Sequence, residues 1–245
     1  MELKEFFPEW DKLNDDQRNL IESTAVKRKI KKDEVLHRGY GDCLGLVLVI
    51  SGRFRAYIVS ESGREVTLYR LFERDICLFS ASCVLSGIQF DISIEAEEDS
   101  EFYIIPPNIF NEVMEQSAPL ANYANKIMAS RFSDVMWLMD QIMFKSFDSR
   151  LAEFLLEESN IEQSDILTIT HEKIANHMGS AREVVSRMLK YFQTEGIVKL
   201  SRGNIQITDR KRLEDKILSD WCNLAGTCIF NSHICFIICV FESFF

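Results

Sequence analysis

The chain has 245 residues, 47% of them hydrophobic and 27% charged, with a formal net charge of −10 and a pI near 5.0. Four prolines and ten glycines exclude a collagenous or low-complexity chain, and this apolar content excludes a disordered one. Seven cysteines, an odd number, behind a start that carries Glu2, Lys4 and Glu5 and no apolar signal core, predict a reduced, cytoplasmic protein of one large or two medium domains.

The first thirty residues read as helical, with Phe6, Phe7, Trp10 and Leu13 apolar and Asn14 or Asp15 placed to cap a helix over 17–26. From 29 to about 106 the texture changes to short β-branched runs broken by Gly or Asp: 44–50, 54–59, 65–72, 92–96 and 102–105. Turn signals every eight to twelve residues or so predict a compact antiparallel sandwich or barrel. Alternation within 54–59 and 66–71 is partial, so both faces of these strands are expected to be covered.

The longest helical pattern runs over 119–145 without an internal Gly or Pro, about 40 Å of helix. Met128, Phe132, Val135, Met139 and Ile142 form one stripe, and Ala124, Ile127, Trp137 and Leu138 widen it. So wide a stripe asks for two partners: the helix's own domain and a twin subunit. Ala124, Met128, Val135, Leu138 and Ile142 are the candidate dimer positions.

After a helix over 148–158, with Asp148 or Ser149 as its cap, come a polar loop and a short strand over 166–169. Thr170 then caps a helix whose inward residues are Ile174, Ala175 and Met178. Gly179 supplies a turn, Ser180 caps a second helix, and Val184, Val185, Met188, Leu189 and Phe192 form its apolar side. This is helix-turn-helix grammar. It leaves Arg182, Glu183, Ser186 and Arg187 on the outward face of the second helix's first turn and a half, the part that reaches base edges. An Arg can bond bidentately to guanine and a Glu can accept from a base amine; the competing reading is a solvated surface with a Glu183–Arg187 ion pair. Two strands follow, 197–200 and 204–208, joined by Ser201, Arg202 and Gly203, which makes the unit a winged helix. Lys199 and Arg202 on the wing, with Thr170 and Ser180 at the helix starts, are the candidate phosphate contacts. Between 170 and 212 nine basic residues face four acidic ones, a local +5 that leaves −15 for the rest.

A β-rich domain, a long helix and a winged helix in that order, together with Gly-Ser-Ala-Arg-Glu-Val-Val-Ser-Arg at 179–187, resemble the Crp/Fnr family of bacterial transcription regulators over roughly residues 1–215. The stretch from Ile50-Ser51-Gly52 to Arg70 is similar to that family's sensor strands. The resemblance implies an α+β protein with an antiparallel β jelly-roll sensor, cyclic-nucleotide-binding-like, over 1–118. A dimerisation helix over 119–145, a winged helix-turn-helix over 146–215 and a tail of unassigned order over 216–245 complete the chain. It also implies a homodimer on double-stranded DNA with an inverted repeat of GA/TC core, read by Glu183 and Arg187 with Ser186 and Arg182 assisting, and RNA polymerase as a further partner.

The sequence departs from the family's cyclic-nucleotide cassette. Residues 75–92 hold no Gly-Glu pair and no basic residue, and Asp91 stands about where the anchoring Arg would be; a carboxylate beside a phosphate repels it. Cyclic AMP is therefore not the expected ligand, and the cofactor stays unassigned. Cys77, Ser80, Ser82, Cys83 and Phe90 are the candidate effector-pocket residues. The rival reading makes a Cys-bound metal or iron–sulfur centre the sensor, with DNA binding as its output; Cys43 precedes a strand, and Cys222, Cys228, Cys235 and Cys239 crowd the end beside His233. Their spacings do not match a ferredoxin-like run, so no metal ligand set is assigned. The stretch 221–241 is too polar in its first half for a membrane span. No nucleophile, phosphate-loop or paired-carboxylate signature points to an enzyme, and His171 and His177 read as surface residues of the DNA-binding unit.

Overall fold

The computed structural model describes the backbone of residues 1–38, 44–81 and 91–224, with side chains except those of Ala81 and 219–224. It falls into two compact units, residues 1–144 with 170–187, and residues 145–169 with 188 onward.

In the first unit two 3₁₀ turns, Leu3–Phe6 and Trp10–Lys12, precede α1 (Asp15–Thr24). Asn14 caps α1: its side chain accepts from Gln17 N at 2.8 Å while Gln17 Oε1 accepts from Asn14 N at 3.0 Å, a reciprocal capping box. Among the described residues eight strands follow: β1 (Val26–Ile30), β2 (Val35–His37), β3 (Leu46–Ser51), β4 (Phe54–Val59), β5 (Glu65–Leu71), β6 (Ile76–Cys77), β7 (Ser93–Ala96) and β8 (Ser100–Ile105). They form two antiparallel four-stranded sheets, β1-β8-β3-β6 and β2-β7-β4-β5. The β texture thus begins at Val26, three residues earlier than the sequence suggested, because the charged Val26–Ile30 strand pairs with β8 as an edge and carries no apolar pattern.

Strand β3 shows why alternation was hard to read. Val47 and Val49 face a core between the sheets with Phe54, Leu71, Ile94 and Phe102. Leu46, Leu48 and Ile50 face a second core with Phe6, Phe7, Trp10, Ile21, Phe110 and Leu120. A strand covered on both sides reads as a continuous apolar run. Gly52 turns β3 into β4 at φ +88°, where a Cβ would stand 2.8 Å from Ser100 Cα, so both conformation and space require glycine.

Two helices close this core, α2 (Pro107–Gln116) and α3 (Ala118–Phe144). The start of α3 is anchored by Leu120 and Ala124, with Ile127 and Met128 packed beside them. Further along, its apolar residues are open: Phe132 is 65% exposed, Trp137 52%, Ile142 46% and Met143 65%.

The second unit opens with α4 (Phe147–Glu162), capped by Ser146, whose hydroxyl accepts from Ser149 N at 3.4 Å, rather than by Asp148 or Ser149. Strand β9 (Ile166–Leu167) is shorter than expected and joins the wing strands β10 (Val198–Ser201) and β11 (Asn204–Ile207) in the order β10-β11-β9. Helix α7 (Arg210–Leu224) runs past residue 215, and Arg210 secures its start by donating to Ser159 Oγ at 3.1 Å and to Asp165. Two further helices, α5 (His171–Met178) and α6 (Arg182–Thr194), carry the candidate site. Among the described residues no helix is long and apolar enough to cross a membrane.

Candidate nucleic-acid interface

Thr170 caps α5 as its position suggests, Oγ1 accepting from Lys173 N at 3.1 Å. Ile174, Ala175 and Met178 are buried. Gly179 ends the helix at φ +66°, its N–H bonded back to Ala175 O, the left-handed C-terminal stop that glycine adopts at least cost. Helix α6 starts at Arg182, and Ala181 O takes the first bonds from Val184 N and Val185 N at 3.0 and 3.3 Å. Ala181 therefore holds the cap position assigned to Ser180. A cap residue is set by where the helical carbonyls begin, and the polar side chain one step earlier was a misleading signal.

Val185, Leu189 and Phe192 are fully buried on one side of α6; Val184 and Met188, expected with them, are half-buried. Arg182, Glu183 and Arg187 are exposed on the other side. Ser186 shares their stretch but is half-buried, and its Oγ lies 2.8 Å from His171 Nδ1. The first turns of α6 thus present two guanidinium groups and one carboxylate to solvent, while the serine is tied to α5.

On the wing, Ser201 pairs with Asn204, leaving Arg202 and Gly203 as a two-residue loop in which Gly203 at φ +80° carries the reversal. Lys199 and Arg202 are both exposed. Lys199 lies on the strand and Arg202 at the tip, an arrangement suited to phosphate rather than to base edges.

His177 is not a surface residue: its side chain is 7% exposed. Its Nδ1 lies 3.0 Å from Thr67 Oγ1, and its Nε2 lies 3.4 Å from Arg70 Nη2 and 3.3 Å from Glu97 Oε1. A guanidinium only donates and a carboxylate only accepts, so Nε2 serves Arg70 as an acceptor or Glu97 as a donor; the Arg70 arrangement leaves Nδ1–H to donate to Thr67. Burial, then the cations Arg70, Arg55, Lys173 and Arg53, hold the imidazole well below its ordinary range, so it is neutral. Sequence spacing carried no sign of this, since a histidine one step before a buried Met reads as helix surface.

The candidate effector residues divide. Cys77 and Ser80 are brought together in the sheet interior, 1% and 0% exposed, with Ser80 Oγ donating to Cys77 O at 2.7 Å and accepting from Val47 N at 3.2 Å. The Cys77 thiol lies 3.8 Å from the Tyr69 hydroxyl, and burial pushes it above its usual range. Arg131 of α3 reaches this corner, its guanidinium 4.7 Å from the Tyr69 ring centre and 3.6 Å from Asp75. Cys43, Ser82, Cys83, Phe90, Cys228, His233, Cys235 and Cys239 lie outside the described residues, as does the side chain of Cys222. Of the candidate dimer positions, Ala124 (7% exposed) belongs to the chain's own core and Met128 packs against it. Val135 and Leu138 are half-buried, and Ile142 is exposed.

A two-sheet roll, a long helix with an open apolar face and a helix-turn-helix followed by a wing define a DNA-binding regulator. The models of a Crp-like helix-turn-helix domain and of a cyclic nucleotide-binding domain match residues 149–216 and 27–117. A solved protein from Eubacterium rectale, assigned to the Crp/Fnr family of transcriptional regulators, is 56% identical. That match covers 87% of this chain and 99% of that one with a TM-score of 0.85. The transcriptional activator protein anr of Pseudomonas aeruginosa is 28% identical over 224 residues, 86% of this chain and 85% of that protein. The anaerobic regulatory protein of Bacillus subtilis is 25% identical over 222 residues, 87% and 93%. The chain belongs to the Crp/Fnr family of transcription regulators, which act by binding DNA and are not enzymes.

Proposed function

We propose that the protein is a homodimeric, cytoplasmic regulator that reads an inverted repeat with a GA/TC core, each protomer inserting α6 into a major groove. The exposed Arg182, Glu183 and Arg187 on the first turns of a helix whose opposite side buries Val185, Leu189 and Phe192 carry this reading. Glu183 and Arg187 read bases and Arg182 assists. Ser186 takes part through the hydroxyl that His171 orients, while Thr170, Ser180, Lys199 and Arg202 grip phosphates. The open face of α3 is the dimer surface, and residues 1–118, 119–145 and 146–215 serve as sensor, coupling helix and reader. RNA polymerase is the downstream partner.

The signal is a small molecule or a redox change other than cyclic AMP, because the cassette lacks the groups that would hold a cyclic phosphate and has Asp91 in their place. Relatives named as anaerobic regulators favour a redox signal. Iron and sulfide assays with visible absorbance on anaerobically purified protein test that branch: a colourless, iron-free protein that binds DNA normally removes it. Selection of bound DNA from a random pool, with and without reductant, tests the whole. The expected winner is a GA-core palindrome, lost in Arg187→Ala and Glu183→Ala; a pool that stays random in every condition overturns sequence-specific recognition.

A further inference from the structure

Strand β5 is the edge of its sheet, and an uncovered edge presents unpaired backbone groups. Here the end of α5 covers it: Met178 makes an antiparallel bridge to Val66, and Val66 Cγ2 occupies the space where a side chain on Gly179 would begin. Beside this seam stand Thr67, Arg70 and Glu97 around His177, and Lys173, one turn earlier on α5, pairs with Asp33. The first helix of the reader is therefore fitted directly to the sensor sheet, by a route that does not run through α3.

We infer that His177 is the pin of a proton-sensitive latch: neutral, it joins α5 to β5 through Thr67 and Arg70, and protonated it lets α5 leave the sheet edge. The charges facing the ring decide the sign. From the sensor side it meets Arg70 on β5, Arg55 on β4 and Arg53 just before it, and from its own helix Lys173. The carboxylates nearby are already committed: Glu97 to Arg53 at 2.9 Å and Arg70 at 3.0 Å, Glu65 and Glu95 to Arg55, Glu98 to Arg53 at 3.2 Å, and Asp33 to Lys173. A proton on Nε2 would remove the acceptor that Arg70 uses and add a cation to four others. Glu97, 3.3 Å from Nε2, is a compensating partner, and it is shared with Arg53 and Arg70.

An imidazole held below its ordinary value in the docked state stabilises docking fully above the undocked value, about 6.5, and loses that contribution as pH falls below it. Between pH 7.5 and 5.5 the docked-to-open ratio should fall about tenfold. The latch depends on the reading of α5 and α6 as the DNA reader only for its consequence, so the test uses no DNA. Hydrogen–deuterium exchange of the full-length protein, corrected for intrinsic rates, is followed in β5 and α5, with β3 and β8 as the core reference. Protection in β5 and α5 is expected to drop about tenfold together in the wild type while the core holds. It should not change with pH in His177→Gln, which stays uncharged. Thr67→Val, altered on the sensor side alone, should already lose protection in α5 several-fold at pH 7.5, the worth of one hydrogen bond. Flat wild-type protection, a drop that persists in His177→Gln, or an equal drop in the core would each overturn the latch.

Discussion

His171 Nδ1 stands 2.8 Å from Ser186 Oγ, linking the first residue of α5 to the fifth of α6. A side chain counted among the base readers is thereby part of the brace that fixes how α6 is presented. Removing either partner takes this bond from the other. His171→Ala and Ser186→Ala should each cost about 1 kcal/mol of stability, with the double variant costing less than their sum. Urea unfolding of the four proteins measures the coupling; strict additivity would show that the contact contributes nothing.

The base-reading and phosphate-gripping roles proposed for α6 and the wing should separate by salt. Lys199→Ala or Arg202→Ala should weaken binding to matched and scrambled duplexes alike and reduce the slope of log K against log salt by about one unit each. Arg187→Ala should instead cost about 1 to 3 kcal/mol on the matched site only. Fluorescence anisotropy over a salt series distinguishes the two patterns, and a sequence-dependent loss in Arg202→Ala would move that residue to the reading group.

Along α3, Phe132 and Trp137 are 65% and 52% exposed, on the same helix whose first turns are locked into the chain's own core by Leu120 and Ala124. A carboxylate buried in a dimer seam without a partner is costly, while on a monomer surface it is harmless. Trp137→Glu should therefore shift sedimentation velocity from dimer to monomer and leave the thermal midpoint of the monomer little changed. A variant that remains a dimer would place the subunit contact elsewhere.

Much of this was legible from residue patterns, and the failures share a cause. The Thr170 cap, the Gly179 stop and the buried Ile174, Ala175 and Met178 follow from local rules, and the structure repeats them. The width of the α3 stripe asks for two partners, yet Ala124, a candidate dimer position, lies in the chain's own core, because period alone does not say which part of a stripe meets which neighbour. His177 was misread for the same reason: its partners Thr67 and Arg70 lie more than a hundred positions away in the chain. Strand β1 was missed because an edge strand paired with β8 can be made of Lys and Arg, which carry no burial signal.

Cys77 bears on the redox reading. Its thiol is buried, bonded near Tyr69, and held above its usual range by that burial. The thiolate is the nucleophile and metal ligand, so a raised value makes the group inert near neutral pH. Iodoacetamide followed by mass spectrometry should leave Cys77 unmodified in the folded protein and label it rapidly in denaturant. Fast native labelling would reopen Cys77 as a sensing thiol.

Gly179 meets two separate demands, and a double-variant cycle can apportion them. Its φ of +66° disfavours any L side chain, a cost of about 1 to 2 kcal/mol for alanine. The new Cβ would also fall inside 3.0 Å of Val66 Cγ2, so either the strand or the turn must shift. Val66→Ala deletes that methyl and relieves the second demand but not the first. Gly179→Ala should thus be severely destabilising alone and partly rescued by Val66→Ala, with the residual loss in the double variant near the backbone cost. Thermal unfolding of the set reads this directly. Additive losses would mean that α5 does not rest on β5 in solution, since a glycine and a valine 113 positions apart can couple only if the turn is seated on the strand.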